Sequence, residues 1–251
     1  MLELHSAVAG YRRAPILDGI DLFLRRGELC SLIGANGCGK STLLRTLLGL
    51  LPLTAGEVTL DGNPLPSLKR SEIAKRIAYL PQWQGIPDMT VGELVLCGRF
   101  SHLSYPRRYR AVDRAAAKAA MQRTGTTEIA DRPLRELSGG MRQAAYIAMA
   151  LASETDCILL DEPTTYLDPA HAAATLRLLR ELSHEGRAVL TVMHDLPMAF
   201  DFSDRILLLH QGRLLLDAPP NEACQSQKIA EALGISVFSI PGEEKYACRY
   251  L

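Results

Sequence analysis

Apolar positions along this chain come in short runs separated by longer amphipathic stretches. Leu29-Cys30-Ser31-Leu32-Ile33 is one such run, followed by a glycine-rich turn and a helical pattern through Thr42-Leu43-Leu44 to Leu48. Cys157-Ile158-Leu159-Leu160 and residues 188–192 repeat the strand signature. Short, β-favouring runs bounded by polar residues predict strands of a parallel sheet covered on both faces. Between Pro169 and His184 the leucines at 176, 179 and 182 fall at helical spacing. Alternating strand and helix signals predict an α/β domain. Nearer the N-terminus, residues 2–8 and 20–24 read as half-buried strands of a flanking sheet. Residues 205–210, Gln211-Gly212 and residues 213–216 read as a hairpin with a tight turn.

The middle of the chain differs. From Pro81 to about Ser153 strand signals give way to helical ones, most clearly in the alanine-rich stretch 110–123. The expected organisation is a single domain over 1–251, with a core at 1–82 and 154–251 and a helical insertion at 83–153. Within the insertion, residues 99–110 set Arg99, Arg107, Arg108 and Arg110 among Phe100, Tyr105 and Tyr109. That mixture reads as a solvated loop between helices rather than a nucleic-acid contact, because the chain as a whole is neutral.

Neutrality comes from 28 Lys+Arg against 28 Asp+Glu in 251 residues. A dedicated nucleic-acid binder carries a basic excess, so that class is disfavoured. Hydrophobic residues at 47% are ample for a core and exclude general disorder. No apolar run is long enough to span a bilayer, the longest candidate, 47–53, being cut by Gly49 and Pro52. The opening Met1-Leu2-Glu3-Leu4-His5 lacks the basic and apolar regions of a secretory signal. The six cysteines are scattered, a pattern of free thiols in a reducing compartment. A cytosolic globular protein is the expectation.

Two segments bring chemistry. Gly34-Ala35-Asn36-Gly37-Cys38-Gly39-Lys40-Ser41 fits the phosphate-binding pattern GxxxxGK[ST] between a strand and a helix. Glycines let successive backbone N–H groups curl around an anion, and the helix that follows points its positive end at the same phosphates. Lys40 is expected to reach β- and γ-phosphates and Ser41 to ligate Mg²⁺. Asp161 and Glu162, at the end of the apolar run from Cys157, form the second element. Taken alone, an acidic pair after a strand marks a helix start. With a phosphate loop upstream, Asp161 reads as a Mg²⁺ ligand. Glu162, on the opposite side of an extended chain, reads as the group that polarises water. Leu137-Ser138-Gly139-Gly140-Met141 adds another anion-ready helix start, with Ser138 as its N-cap.

Together these residues resemble the nucleotide-binding subunit of an ATP-binding cassette (ABC) transporter, over nearly the whole chain. The resemblance makes 34–41 the Walker A loop, 157–162 the Walker B strand and 137–141 the signature. It implies an ABC ATPase-like fold: a P-loop NTPase core of parallel sheet and flanking helices, an antiparallel N-terminal β-subdomain and a helical insertion. The nucleotide-binding set would be Tyr11, Gly34, Asn36, Gly37, Cys38, Gly39, Lys40, Ser41, Thr42, Ser138, Gly139, Gly140 and Asp168. Tyr11 matches the residue that stacks on adenine, and Gln82 the Q-loop glutamine that senses Mg²⁺ and water. Thr164-Thr165-Tyr166-Leu167-Asp168 matches the D-loop, and His194 the switch histidine at the γ-phosphate. Glu162, His194 and Gln82 would carry catalysis, with Ser41, Gln82 and Asp161 on Mg²⁺. Asp168 before Pro169 also has the pattern of an N-cap with proline at N1. The family signature usually has Gln where Met141 stands, which removes an amide from the site.

A narrower resemblance follows from Val91-Gly92-Glu93-Leu94-Val95-Leu96-Cys97-Gly98-Arg99 and His102, which look like a stretch of iron-chelate, haem and vitamin B12 importers. Its helix is expected to pack Val91, Leu94 and Val95 inward. The resemblance implies ATP and Mg²⁺ as cofactors, a head-to-tail dimer with a second copy, and a separate membrane permease. It also implies an external substrate-binding protein, a peripheral location on the cytoplasmic face of the membrane, and no nucleic-acid partner. Another importer branch, for an oxyanion or metal ion, is the alternative. A nucleic-acid ATPase would need coiled coils or zinc inserts that 251 residues cannot hold, and a small-molecule kinase leaves Ser138 and His194 unexplained.

Overall fold

The computed structural model describes residues 1–11, 14–82, 85–165, 167–243 and 245–251. In chain order its strands are β1 (Leu2–Tyr11), β2 (Ala14–Leu24), β3 (Leu29–Ile33), β4 (Leu53–Leu60), β5 (Asn63–Pro64) and β6 (Ile77–Leu80). They continue with β7 (Cys157–Asp161), β8 (Ala188–Val192), β9 (Arg205–His210), β10 (Arg213–Ala218), β11 (Ile235–Ser239) and β12 (Tyr246–Tyr250). Its α-helices are α1 (Lys40–Leu47), α2 (Arg70–Arg76), α3 (Val91–Cys97), α4 (Ala111–Arg123) and α5 (Gly139–Ala152). The last four are α6 (Pro169–His184), α7 (Leu196–Phe202), α8 (Pro220–Ala223) and α9 (Gln227–Leu233). The chain forms two compact units, 1–68 with 179–251, and 69–178. Among the described residues no helix is long and apolar enough to cross a membrane.

The first unit carries an antiparallel sheet ordered β2-β1-β4-β5 and a ladder ordered β10-β9-β3-β8. β3 runs parallel to β8 on one side and to β9 on the other. Every residue of β3 and β8 is buried, which is why both read as mainly apolar runs, with Ser31 and Thr191 the buried polar members. The hairpin between β9 and β10 turns on Gln211 (φ 46) and Gly212 (φ 77), the paired positive angles that match strand twist. Buried Arg205 joins β9 to its neighbours through Asp217 at 2.5 Å, Glu28 at 2.8 Å and the Phe23 carbonyl at 2.9 Å. A buried guanidinium needs such acceptors to offset its lost hydration. The β11–β12 hairpin, with its Pro241-Gly242 punctuation, rests on α7, where the Phe200 and Tyr246 rings pack at a tilt of 56° with centroids 5.2 Å apart.

The second unit holds the parallel pair β6–β7 and helices α2 to α5. In α3, Val91, Leu94 and Val95 are buried at i, i+3 and i+4, as the spacing predicts. α5 is rich in buried alanine, and that lets other backbone approach closely. The closest approach is at Gly98, where a Cβ would lie 2.1 Å from the Met149 carbonyl oxygen, so only glycine fits. The solvated-loop reading of 99–110 fails at Arg99, which is only 4% exposed. Its guanidinium donates to the Ala152 carbonyl at 2.8 Å and pairs with Glu154 at 2.6 Å and Asp113 at 3.3 Å. His102 contacts the Ser153 carbonyl at 2.8 Å. Arg99 and His102 thus bond the carbonyls that the end of α5 leaves open. Composition hid this, because a long-range partner decides whether an arginine is buried. Tyr105, at 97% exposure, does keep to the solvated reading.

Candidate functional site

The loop 34–41 leaves the buried end of β3 and enters α1 at Lys40. Gly37 (φ 77) and Gly39 (φ 112) hold left-handed angles that side chains resist. Gly39 is the N-cap of α1 and offers no side chain there, so no side-chain cap occupies the helix start. Lys40 is buried, and its ammonium donates to the Gly34 carbonyl at 2.8 Å and the Ala35 carbonyl at 2.9 Å. Asn36 and Ser41 are exposed, while Cys38 and Thr42 are buried. Burial pushes the Cys38 thiol pKa up, with Lys40 pulling against it, and burial takes Cys30 up to about 12. Both thiols therefore stay protonated. Tyr11, at the end of β1, accepts a hydrogen bond from Arg45 at 3.0 Å and leaves 41% of its surface exposed.

Strand register sets the rest. Leu32 pairs with Val192 in the parallel β3–β8 ladder. Gly34 and His194 each follow two residues later, so both emerge at the C-terminal rim of the first unit's sheet. His194 is exposed, and its neighbour Asp195 caps α7 by accepting from Met198 N–H at 2.9 Å. In the second unit Leu80 pairs with Leu160, and Gln82 and Glu162 follow at the same offset. Asp161 is the last residue of β7 and is buried. The C-terminal rim of parallel strands is where α/β folds bind ligands.

Glu162 departs from expectation. An extended chain would send it opposite to Asp161, but β7 ends at Asp161 and Glu162 takes a left-handed φ of 55. The chain turns here, and the Thr165 hydroxyl donates to the Glu162 carboxylate at 2.9 Å. Such an angle on a non-glycine residue costs of order 1 kcal/mol and persists where surrounding structure enforces it.

The remaining residues also lie in the second unit. Ser138 caps α5 by accepting from Met141 N–H at 3.3 Å, and Gly139 and Gly140 form its first turn. Asp168 accepts from the backbone N–H groups of Ala170 and His171, each at 3.0 Å, and pairs with the His171 ring at 2.6 Å. These bonds, led by the His171 N–H, hold its carboxyl below the ordinary range. Gln82 is exposed. Tyr166, within the expected D-loop, lies outside the described residues.

Sequence reasoning missed the side chains that support these groups. Gln143 on α5 donates to the Pro163 carbonyl at 3.0 Å, and the Tyr146 hydroxyl to the Gly85 carbonyl. The one available signal was His171, three residues beyond Asp168 on a predicted helix.

Residues 17–165 match the pattern of the ABC transporter family. The chain belongs to that family. Among its relatives, the petrobactin import ATP-binding protein FpuD of Bacillus anthracis is 39% identical over 92% of this chain and 85% of its own. The ferric enterobactin transport ATP-binding protein FepC of Escherichia coli is 41% identical over 92% of this chain and 86% of its own. A solved structure described as a metal-chelate type ABC transporter in an inward-facing conformation matches with TM-score 0.85 at 26% identity, over 100% of this chain and 96% of that one. This ABC family member is therefore an ATP-binding ATPase coupled to transport, and its α/β architecture is the family's.

Proposed function

We propose that this chain is the ATP-hydrolysing subunit of an importer that takes up a metal chelate, of the iron-siderophore, haem or cobalamin type, through a separate membrane permease. The observation that carries the reading is its likeness to siderophore-import ATP-binding proteins over more than nine-tenths of its length. Its place is the cytoplasmic face of the membrane, bound to the permease and serving an external substrate-binding protein indirectly. The working form is a dimer with a second copy of itself. In domain terms, 1–82 and 154–251 act as the nucleotide-binding core and 83–153 as the helical subdomain.

Residue roles follow from chemistry and family likeness. Tyr11 stacks on adenine. The loop from Gly34 through Asn36, Gly37, Cys38 and Gly39 turns backbone N–H groups onto the phosphates, and Thr42 supports the first turn of α1. Lys40 exchanges its loop carbonyls for β- and γ-phosphate oxygens. Ser41, Gln82 and Asp161 supply hydroxyl, amide and carboxylate oxygens, the hard donors that suit Mg²⁺. That ion, once bound, neutralises developing charge on the phosphates. Glu162 takes the proton of the attacking water, while His194 contacts the γ-phosphate and Gln82 reports its state to the permease. Ser138, Gly139 and Gly140 donate to the γ-phosphate held by the partner copy, and Asp168 orders the D-loop.

A strain lacking this chain should lose uptake of a ferric chelate while retaining uptake of unrelated nutrients. A tag on the chain should bring down a many-helix membrane protein. Loss of manganese or oxyanion uptake with ferric-chelate uptake intact would reject the cargo class, and capture of nucleic acid with no membrane partner would reject the importer.

A further inference from the structure

The β6–β7 ladder ends at the Leu80–Leu160 pair. Beyond it, the segments bearing Gln82 and Glu162 have left the sheet and need other support. Helix α5 provides it with two side chains three positions apart, on one helical face. Gln143 donates its side-chain amide to the Pro163 carbonyl at 3.0 Å, directly after Glu162. Tyr146 donates its hydroxyl to the Gly85 carbonyl, in the segment that follows Gln82.

Apolar packing accounts for the ring of Tyr146 but not for its hydroxyl. The residue is only 6% exposed, and a phenylalanine would bury the same ring with no polar atom to satisfy. A buried hydroxyl costs stability unless it finds an acceptor, and this one finds backbone in the segment next to Gln82. Burial also pushes its pKa up, so the donor proton is retained throughout the physiological range. Both acceptors are main-chain carbonyls, so each bond fixes the backbone at its own residue, Gly85 three positions after Gln82 and Pro163 next to Glu162.

We infer that α5 is a strut holding the Gln82 and Glu162 segments in mutual register, with Tyr146 and Gln143 as positioning residues for hydrolysis. The inference rests on the ATPase reading above. It deepens that reading, because a small displacement of a reacting group is costly even when the group itself is unchanged.

The test uses the full chain in the transporter complex isolated from membranes by a tag on this subunit. Tyr146→Phe removes only the hydroxyl. It should lower kcat about fivefold, the worth of one ordinary hydrogen bond, with KM for ATP within about twofold and an unaltered melting temperature. Tyr146→Trp again places an N–H donor on an aromatic frame and should restore at least half of the loss. Gln143→Leu should show the same split between kcat and KM. Wild-type kcat in Tyr146→Phe overturns the strut, as does a loss that merely tracks melting temperature. If the Trp variant melts early, Gln143→Leu decides alone, and an unchanged kcat there overturns the inference. A wild-type complex that turns over no ATP rejects the ATPase reading itself, an outcome distinct from failure of the strut.

Discussion

Glu162 carries two demands at once: an unfavourable backbone angle and an acidic side chain fixed by Thr165. Glycine would remove the first and lose the second, so the strain is the cost of keeping a carboxylate at the turn. Glu162→Gln keeps the shape and removes the carboxylate proposed as the base. ATP binding by equilibrium dialysis should persist, while hydrolysis should fall about 10²-fold or more, the range for lost acid–base catalysis. A wild-type rate would move the water-activating role to another residue, with His194 the first to test. Asp161 and Glu162 were legible in the sequence because an apolar run delivered them, but the turn between them was not. Nothing in a Leu-Asp-Glu-Pro string requires a left-handed angle.

Capping explains much of how the second unit's helices begin. Glu93 accepts from Thr90 N–H at 2.8 Å ahead of α3, Asp113 accepts from Arg110 N–H at 2.9 Å ahead of α4, and Asp168 caps α6. In each case a backbone N–H bonded to the carboxylate is the leading cause of a lowered pKa. The sign follows from linkage. These groups bind protons more weakly folded than unfolded, so their stabilisation is complete above the ordinary carboxylate pKa of about 4 and is lost as pH falls through the depressed folded values. Thermal melting followed by helical circular dichroism should therefore worsen steadily below about pH 4.5. The combined variant Glu93→Gln, Asp113→Asn and Asp168→Asn should show a flatter acid limb, and an unchanged acid limb would mean that other carboxylates control it. Of these, Asp168 before Pro169 was readable from the chain. The role of Asp113 was hidden in an alanine-rich stretch, and that of Arg99 behind a basic loop composition.

For the whole molecule, the strands that form the buried ladders were the most legible, since residues covered on both faces leave a short, mainly apolar record. β6 and the β11–β12 hairpin were missed. Ile77-Ala78-Tyr79-Leu80 is too short to stand out, and β11 and β12 are only partly buried and so carry a weak alternating pattern. The links from α5 to Gly85 and Pro163 left no local mark, because they join residues far apart in the chain. Two anion-ready helix starts in one chain bear on assembly. If each ATP lies between Lys40 of one copy and Ser138 of the other, Lys40→Ala and Ser138→Arg chains should each be inactive alone. Mixed heterodimers should regain partial ATPase activity from one complete site. Absence of recovery, together with no cross-link between Ser41→Cys in one chain and Gly139→Cys in the other, would reject the shared site.

Lys40 donates to two carbonyls of its own loop, those of Gly34 and Ala35, and so pins the turn that carries it. On the proposed role, a phosphate would have to win that ammonium from the two carbonyls, an exchange of partners rather than the folding of a slack loop. The entropy of ordering those residues has been spent in advance, and little of it is charged against affinity. What remains is a competition between two carbonyl dipoles and a phosphate's full charge for one ammonium group, and charge-assisted bonds are the stronger kind. An uncharged mimic of the nucleotide's tail should lose that contest, so in the proposed role the loop would discriminate by electrical charge before shape.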